Sequence, residues 1–212
     1  RCAACRAWGA LGLCGDCERQ LQRIGRPLCR RCGLPLEDRF RALGTLCFDC
    51  ERELPKFDAA RSAFVFEGPL REAVHRFKYE GQTALARPLA QMMAAWWLGA
   101  EESSTRMAPY APADIGAIVP VPLHAWRKWR RGYNQSELLA RELGKIVGVP
   151  TISLLQRTRY TVSQVELAED ERTRNVRGAF AIVERAEIPA TILLLDDVFT
   201  TGATLAECSK VL

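Results

Sequence analysis

Residues 191–205, Thr191-Ile192-Leu193-Leu194-Leu195-Asp196-Asp197-Val198-Phe199-Thr200-Thr201-Gly202-Ala203-Thr204-Leu205, restrict the fold more than any other stretch of this 212-residue chain. They read as a buried strand, an acidic pair, a small-residue turn and a helix start. An apolar run from Ile192 to Leu195 that ends in a turn signal fits a central parallel strand buried on both faces. Ligands of α/β sheets bind beyond the C-terminal ends of such strands. There Asp196 and Asp197 can accept hydrogen bonds from two vicinal ribose hydroxyls, directly or through a bound cation and its waters. Thr200, Thr201, Gly202, Ala203 and Thr204 offer hydroxyls and backbone N–H groups at a helix N-terminus, and Gly202 lets the main chain approach closely. That is a cradle for a dianionic phosphate without a lysine. The plainer alternative is that the acids end a strand and the threonines cap a helix.

Taken whole, the string resembles the phosphoribosyl pyrophosphate (PRPP) motif of the type I phosphoribosyltransferases. The resemblance implies that the two acids contact the ribose and that the following loop holds the 5′-phosphate. Phe199 stands where an aliphatic residue is more usual.

Eight of the nine cysteines form four Cys-x-x-Cys pairs: Cys2/Cys5, Cys14/Cys17, Cys29/Cys32 and Cys47/Cys50. Each pair sets two thiolates on one side of a metal, and two pairs complete the tetrahedron of a closed zinc site, so eight ligands predict two structural zinc ions. Disulfide and redox readings compete. The absence of a secretory signal argues against the first and the fourfold repetition against the second. Sequential pairing closes the shortest loops, with Cys2, Cys5, Cys14 and Cys17 on one ion and Cys29, Cys32, Cys47 and Cys50 on the other. A crossed arrangement is the alternative. The formal charge of +5 falls to about +1 if each tetrathiolate centre carries about −2. Net charge therefore does not point to nucleic acid. The segment Val119–Gly178, with eleven Lys/Arg against six Asp/Glu, suits a pyrophosphate as well as a nucleic acid. The longest apolar stretch, Met92–Ala100, is too short for a bilayer, so no membrane insertion and a cytoplasmic location are expected. The ends of the chain, Arg1 and Leu212, suggest a fragment lacking a short leader and a C-terminal strand.

The pattern along the chain predicts a zinc-ribbon module over residues 1–52, which needs its metal to fold, a linker over 53–60, and a C-terminally truncated α/β domain over 61–212. In that domain a strand is expected at Ala63–Phe66, a helix after Gly68-Pro69 through Tyr79, a helix over 83–98, and an exposed loop over 99–114. Strands over 115–121 and 151–155 flank a helix over 135–147. The polar stretch 156–178 is read as a long loop with a short helix near 166–175. A strand over 179–183, with an antiparallel edge as one option, precedes the strand that ends at Leu195. Strands alternating with helices argue for a parallel sheet with helices on both faces.

Val119-Pro120-Val121-Pro122-Leu123 ends a strand in a rigid turn and runs into Arg127-Lys128-Trp129-Arg130-Arg131-Gly132-Tyr133-Asn134-Gln135. Backbone amides and fixed cations at a strand end suit a pyrophosphate. A solvated basic turn is the alternative, and Asn134 can instead cap the helix that follows. With the cysteine pairs, Phe77-Lys78-Tyr79-Glu80-Gly81, Arg131-Gly132-Tyr133-Asn134-Gln135, Gln164, Arg172, Asn175-Val176 and Gly178-Ala179-Phe180, the chain resembles the competence protein F (ComF) family. The resemblance implies a double zinc ribbon joined to a type I phosphoribosyltransferase-like domain, and a role in DNA uptake during natural transformation beside a helicase-like partner. A homodimer is also implied.

For an enzyme of that kind, Asp196 and Asp197 hold the ribose and Mg²⁺, Thr200 to Thr204 the 5′-phosphate, and the Val121-Pro122-Leu123 turn with Arg131 the pyrophosphate. Lys78 is a further candidate, and Arg157, Arg159, Arg172 and Arg174 can close over the ligand. No element for an acceptor base is recognisable. The alternative on the same fold is a binding protein that takes PRPP or a nucleotide-like ligand as a signal, or holds single-stranded DNA by stacking on Trp126, Trp129 or Tyr133 next to Arg130 and Arg131. His75 and His124 read as structural or surface residues and Cys208 as a small packing residue. The chain has no complete P-loop.

Overall fold

The computed structural model describes residues 1–37, 45–99, 108–160, 169–183 and 187–212, with the backbone alone at 169, 170, 172 and 173. Gln164, the side chain of Arg172 and residues 100–107, half of the expected 99–114 loop, lie outside the described residues. In chain order the elements are α1 (Gly15–Arg19), α2 (Phe48–Arg52), α3 (Gly68–Tyr79), α4 (Ala86–Leu98), β1 (Ala117–Pro120), α5 (Ala125–Arg131), α6 (Gln135–Val147), β2 (Leu155–Arg157), α7 (Glu169–Val176), β3 (Phe180–Ile182), β4 (Ile192–Leu195) and α8 (Ala203–Val211).

The two apolar runs pair as parallel strands, with Ala117 opposite Ile192 and Pro120 opposite Leu195. Side chains along a strand alternate between its faces, and each face of this pair has its own helical cover. Ile118, Leu193 and Leu195 pack with Leu139, Leu143 and Leu89 from α6 and α4. Val119, Val121, Ile192 and Leu194 pack with Leu205, Cys208 and Val211 of α8. The molecule is thus an α/β fold with a parallel strand pair between helical layers, joined to a cysteine-rich ribbon. Cys208 is fully buried in the second layer, a small apolar residue as its sequence context implies.

Three elements differ from the sequence pattern. The 63–66 run forms a single antiparallel bridge, Phe64 to Arg23, because Val65 donates to the Gln22 carbonyl and Ile24 donates to that of Ala63. It pairs with the exit of the first cysteine ribbon and joins neither sheet. The expected 151–155 strand makes one parallel bridge, Thr151 to Ile118. It then leaves as β2, which pairs antiparallel with β3. Residues 125–131 form the helix α5, where the sequence pattern predicts a basic turn.

Close approach explains Gly144 in α6: a Cβ there would lie 2.5 Å from the Val149 carbonyl oxygen and 2.8 Å from Thr151 Oγ1. The helix is drawn tightly onto the strand beside β1. Residues 53–60 are not a free tether, since Ala60 donates to the Arg31 carbonyl at 2.7 Å.

Candidate functional site

In the cysteine module, the four Sγ atoms of Cys2, Cys5, Cys14 and Cys17 lie within 4.8 Å of one another, as do those of Cys29, Cys32, Cys47 and Cys50. The Cys5–Cys14 and Cys32–Cys47 Sγ separations are both 3.6 Å. Zn–S bonds of about 2.3 Å in a tetrahedron put sulfurs roughly 3.8 Å apart, so both quartets fit zinc. Pairing is sequential and the crossed arrangement is excluded. Backbone N–H groups aim at particular sulfurs: Ala4 and Cys14 donate to Cys2 Sγ at 3.4 and 3.3 Å, and Cys47 donates to Cys29 Sγ at 3.3 Å. Burial pushes the Cys2 thiol up, but these donors outweigh it and bring its pKa down to about 6. Burial carries Cys17 the other way, to about 12. A quartet with such opposed thiols holds a full set of thiolates only when a cation neutralises them.

At the far end of the parallel pair, the Val121 N–H donates to the Leu195 carbonyl at 2.9 Å. The 121–123 turn therefore runs beside Asp196. Asn134 holds this junction twice: its Nδ2 donates to the Val121 carbonyl at 3.0 Å, and its Oδ1 caps α6 by accepting from the Ser136 N–H at 3.1 Å. The capping role expected of Asn134 is the one seen here. Ser136, which sequence reasoning did not single out, donates from Oγ to Asp196 Oδ1 at 2.8 Å. The Asp197 N–H donates to the same oxygen at 2.9 Å. Burial, then the neighbouring Asp197, raises the Asp196 carboxyl to about 7.

Lys78, at the C-terminal end of α3, sets its Nζ 2.9 Å from Asp197 Oδ1. The pair is largely shielded from solvent, with the two side chains 19% and 5% exposed. Asp197 Oδ2 is buried and has no hydrogen-bond partner among the described residues, so an acceptor stands unpaired beside an occupied one. A divalent cation placed on Asp197 Oδ1 would have to displace the Lys78 ammonium already paired there.

After the acids, the chain passes Phe199 and reaches Gly202 in the left-handed region, φ 76°, at the N-cap of α8. A Cβ on Gly202 would lie 2.9 Å from the Phe199 ring. The aromatic residue thus packs on the glycine of its own loop. Thr201 Oγ1 accepts from the Ala203 N–H at 3.4 Å. A cavity of about 780 Å³ runs along β4, lined by Phe64, Phe66, Trp96 and Leu193, and reaches Asp196, Asp197 and Thr200.

The remaining candidates divide. Arg131 is engaged by Gln135 Oε1, and its guanidinium lies 5.2 Å from the Tyr79 ring centroid. Both contacts belong to the junction between α3 and α6. Tyr133 donates its hydroxyl to the Phe77 carbonyl, which commits the ring to packing and removes it as a base-stacking surface. Arg159 donates to the Asn175 and Arg177 carbonyls at 3.1 and 2.7 Å, a structural tie. Arg157 lies in β2, where burial and then Arg127 lower its pKa. Trp126 meets Tyr160 edge to face with centroids 5.5 Å apart, with Arg130 5.6 Å over the Trp126 ring and Arg127 5.3 Å over that of Tyr160. Trp129 is 81% exposed. His124 caps α5 by accepting from the Trp126 N–H, and His75 lies against Tyr79 at the surface with the two rings tilted.

Residues 1–56 match the double zinc ribbon family. Over its whole length the chain is 33% identical to competence protein F of Haemophilus influenzae, covering 90% of that protein. It is 32% identical to the DNA utilization protein YhgH of Escherichia coli K12, again over its whole length and 89% of the relative. Against competence protein ComFC of Bacillus subtilis it is 28% identical over 91% of this chain and 74% of that one. Among the described residues no helix is long and apolar enough to cross a membrane.

Proposed function

This chain belongs to the competence protein F family, and from that membership we propose that it serves DNA uptake through a ribose-phosphate pocket at Asp196, Asp197 and the Thr200–Thr204 loop. The observation that carries the pocket is the junction of three segments distant in sequence. Lys78 is ion-paired to Asp197, Ser136 is bonded to Asp196, and the Val121 turn is fastened to β4. Their shared end of a parallel strand pair is where such sheets bind ligands. PRPP or a nucleotide-like ligand fits the chemistry: vicinal hydroxyls meet the acids, and the 5′-phosphate meets the N–H groups that open α8. Val121, Pro122 and Leu123 would hold the pyrophosphate of PRPP, and Mg²⁺ brought by the ligand would neutralise its charge. The protein works in the cytoplasm, with residues 1–52 as the ribbon module, 53–60 as the connector and 61–212 as the ligand-binding part.

Titration of the zinc-loaded protein with PRPP and Mg²⁺, beside the Asp196→Asn/Asp197→Asn double variant, tests the pocket. Saturable binding that the double variant loses is expected. Absence of binding in the parent protein sinks the reading.

The exposed Trp129, on the same helix as Trp126, Arg127 and Arg130, favours a second reading in which the same protein holds single-stranded DNA. Bases stack on the tryptophan while the arginines meet phosphates. Oligonucleotide affinity should then fall steeply with salt, and Trp129→Ala should weaken it by about tenfold, the worth of roughly one stacked base. Salt-independent affinity would remove this reading. A helicase-like partner and a homodimer belong to the same proposal and are tested by co-purification and by light scattering.

A further inference from the structure

We propose that Lys78 is the resident cation of the acidic pair, so that the pocket binds the ribose 5-phosphate portion of its ligand without a metal ion held by protein carboxylates. The inference rests on the ribose-phosphate reading and specifies how that site is neutralised.

Four carboxylate oxygens are available to a cation, and two are already engaged. Asp196 Oδ1 accepts from Ser136 Oγ and from the Asp197 N–H, at 2.8 and 2.9 Å, which uses both of its lone pairs. Asp197 Oδ1 accepts from Lys78 Nζ at 2.9 Å. A Mg²⁺ ion bound by a carboxylate sits about 2.0–2.1 Å from its oxygen and holds near-octahedral geometry. Placed on Asp197 Oδ1 it would crowd the ammonium, two like charges in a site with little water to screen them. On that oxygen the lysine and the ion exclude each other.

The helix that carries the lysine is held in place. Lys78 sits in the last turn of α3, where the helix carbonyls favour a cation, and its neighbours are pinned. Phe77 is fully buried, and its carbonyl accepts the Tyr133 hydroxyl. Tyr79 lies under the Arg131 guanidinium. One turn back, Arg76 is buried and donates to the Cys2 and Ala4 carbonyls at 3.4 and 3.0 Å. An ammonium carried by a held helix and already paired with Asp197 is a charge in place before ligand arrives, which a solvated ion is not. Asp197 Oδ2, buried and unpaired among the described residues, remains as the acceptor for a sugar hydroxyl.

The test uses ribose 5-phosphate, which lacks the pyrophosphate that would bring its own Mg²⁺. Zinc-loaded full-length protein is titrated calorimetrically in buffer freed of Mg²⁺ by passage over a chelating resin, so that no soluble chelator strips the zinc, and again with Mg²⁺ added. Equal affinity in the two buffers is expected. Lys78→Met should lose at least about tenfold in Mg²⁺-free buffer, a difference of about 1.4 kcal/mol, and Lys78→Arg should retain most of the affinity. Wild-type binding that requires Mg²⁺ overturns the inference and leaves the pocket standing. Lys78→Met binding as tightly as wild type without Mg²⁺ overturns it as well. No binding in either buffer, together with none to PRPP, removes the ribose-phosphate reading and the inference with it. The wild-type comparison needs no variant to fold.

Discussion

Asp196 is held in a state that costs the folded protein stability at neutral pH. Its carboxyl is raised from 3.8 to about 7 by burial first and by Asp197 second, against the opposing bond from Ser136. A group whose folded pKa lies above its unfolded value favours folding fully below the unfolded pKa, and that contribution is lost as the pH rises through the folded one. The window here runs from about pH 4 to pH 7. Its full size is roughly 4 kcal/mol by linkage, reduced in practice by the coupling to Asp197. Asp196→Asn, which is neutral at every pH, should therefore raise the melting temperature at pH 8 and change it little at pH 4. Melts at the two pH values check this. A variant equally stabilised or equally destabilised at both would mean that the carboxyl is not strained by its neighbours. A stabilising change that removes ligand binding is the usual signature of a functional carboxylate.

Elements were legible in the sequence where one face of the pattern decides the structure. β1 and β4 are continuous apolar runs, and α4 and α6 carry stripes that pack across the sheet, so their expected ranges match within a few residues. The acidic pair and its loop followed from β4, because the end of a buried strand fixes what comes next. α5 was missed for a physical reason: Ala125-Trp126-Arg127-Lys128-Trp129-Arg130-Arg131 has no apolar stripe and no buried residue. It is held instead by its His124 cap and by Gly132 at φ 85°. The 63–66 strand was over-read because alternation shows that a segment can pair, not with whom, and its partner is the tail of the ribbon. Ser136 was invisible since a serine at the second position of a helix is ordinary, and only the fold brings it to Asp196. Gly202 shows the opposite case, with its role readable from the motif and its severity only from the structure. Its φ of 76° and the 2.9 Å approach of Phe199 make Gly202→Ala costly twice, by strain and by contact. A loss of about 1–2 kcal/mol is expected in chemical denaturation. Adding Phe199→Leu should recover the contact part only, and full recovery would show that the backbone conformation carries no strain.

At the scale of the whole molecule the two metal centres have unequal roles. Cys2, Ala3, Leu13 and Cys17 belong to the same apolar cluster as Ala73 and Phe77 of α3 and Leu89 of α4. The first ribbon is thus part of the main core. Cys29, Cys47 and Cys50 form a separate cluster with Cys32, Leu36 and Leu46, joined to the rest through hydrogen bonds such as Ala60 N–H to the Arg31 carbonyl and the Arg61 guanidinium to the Arg30 carbonyl at 3.2 Å. Zinc-dependent folding energy therefore enters the α/β core from one side only. The Arg76 bonds to Cys2 and Ala4 extend that dependence along α3 to Lys78. Cys5→Ser/Cys14→Ser, at two of the more accessible ligands of the first quartet, should lower the melting of the entire core, followed through the buried Trp97. The same variant should lose ribose-phosphate binding. Cys32→Ser/Cys47→Ser should shed one zinc ion per chain while the core melts within a few degrees of the parent protein and the pocket still binds. Arg76→Ala, which leaves both quartets intact, should keep two zinc ions and still weaken binding, because the link and not the metal has been cut. Equal destabilisation by the two cysteine pairs would show that the second ribbon is as deeply integrated as the first. The asymmetry read from the two clusters would then be wrong.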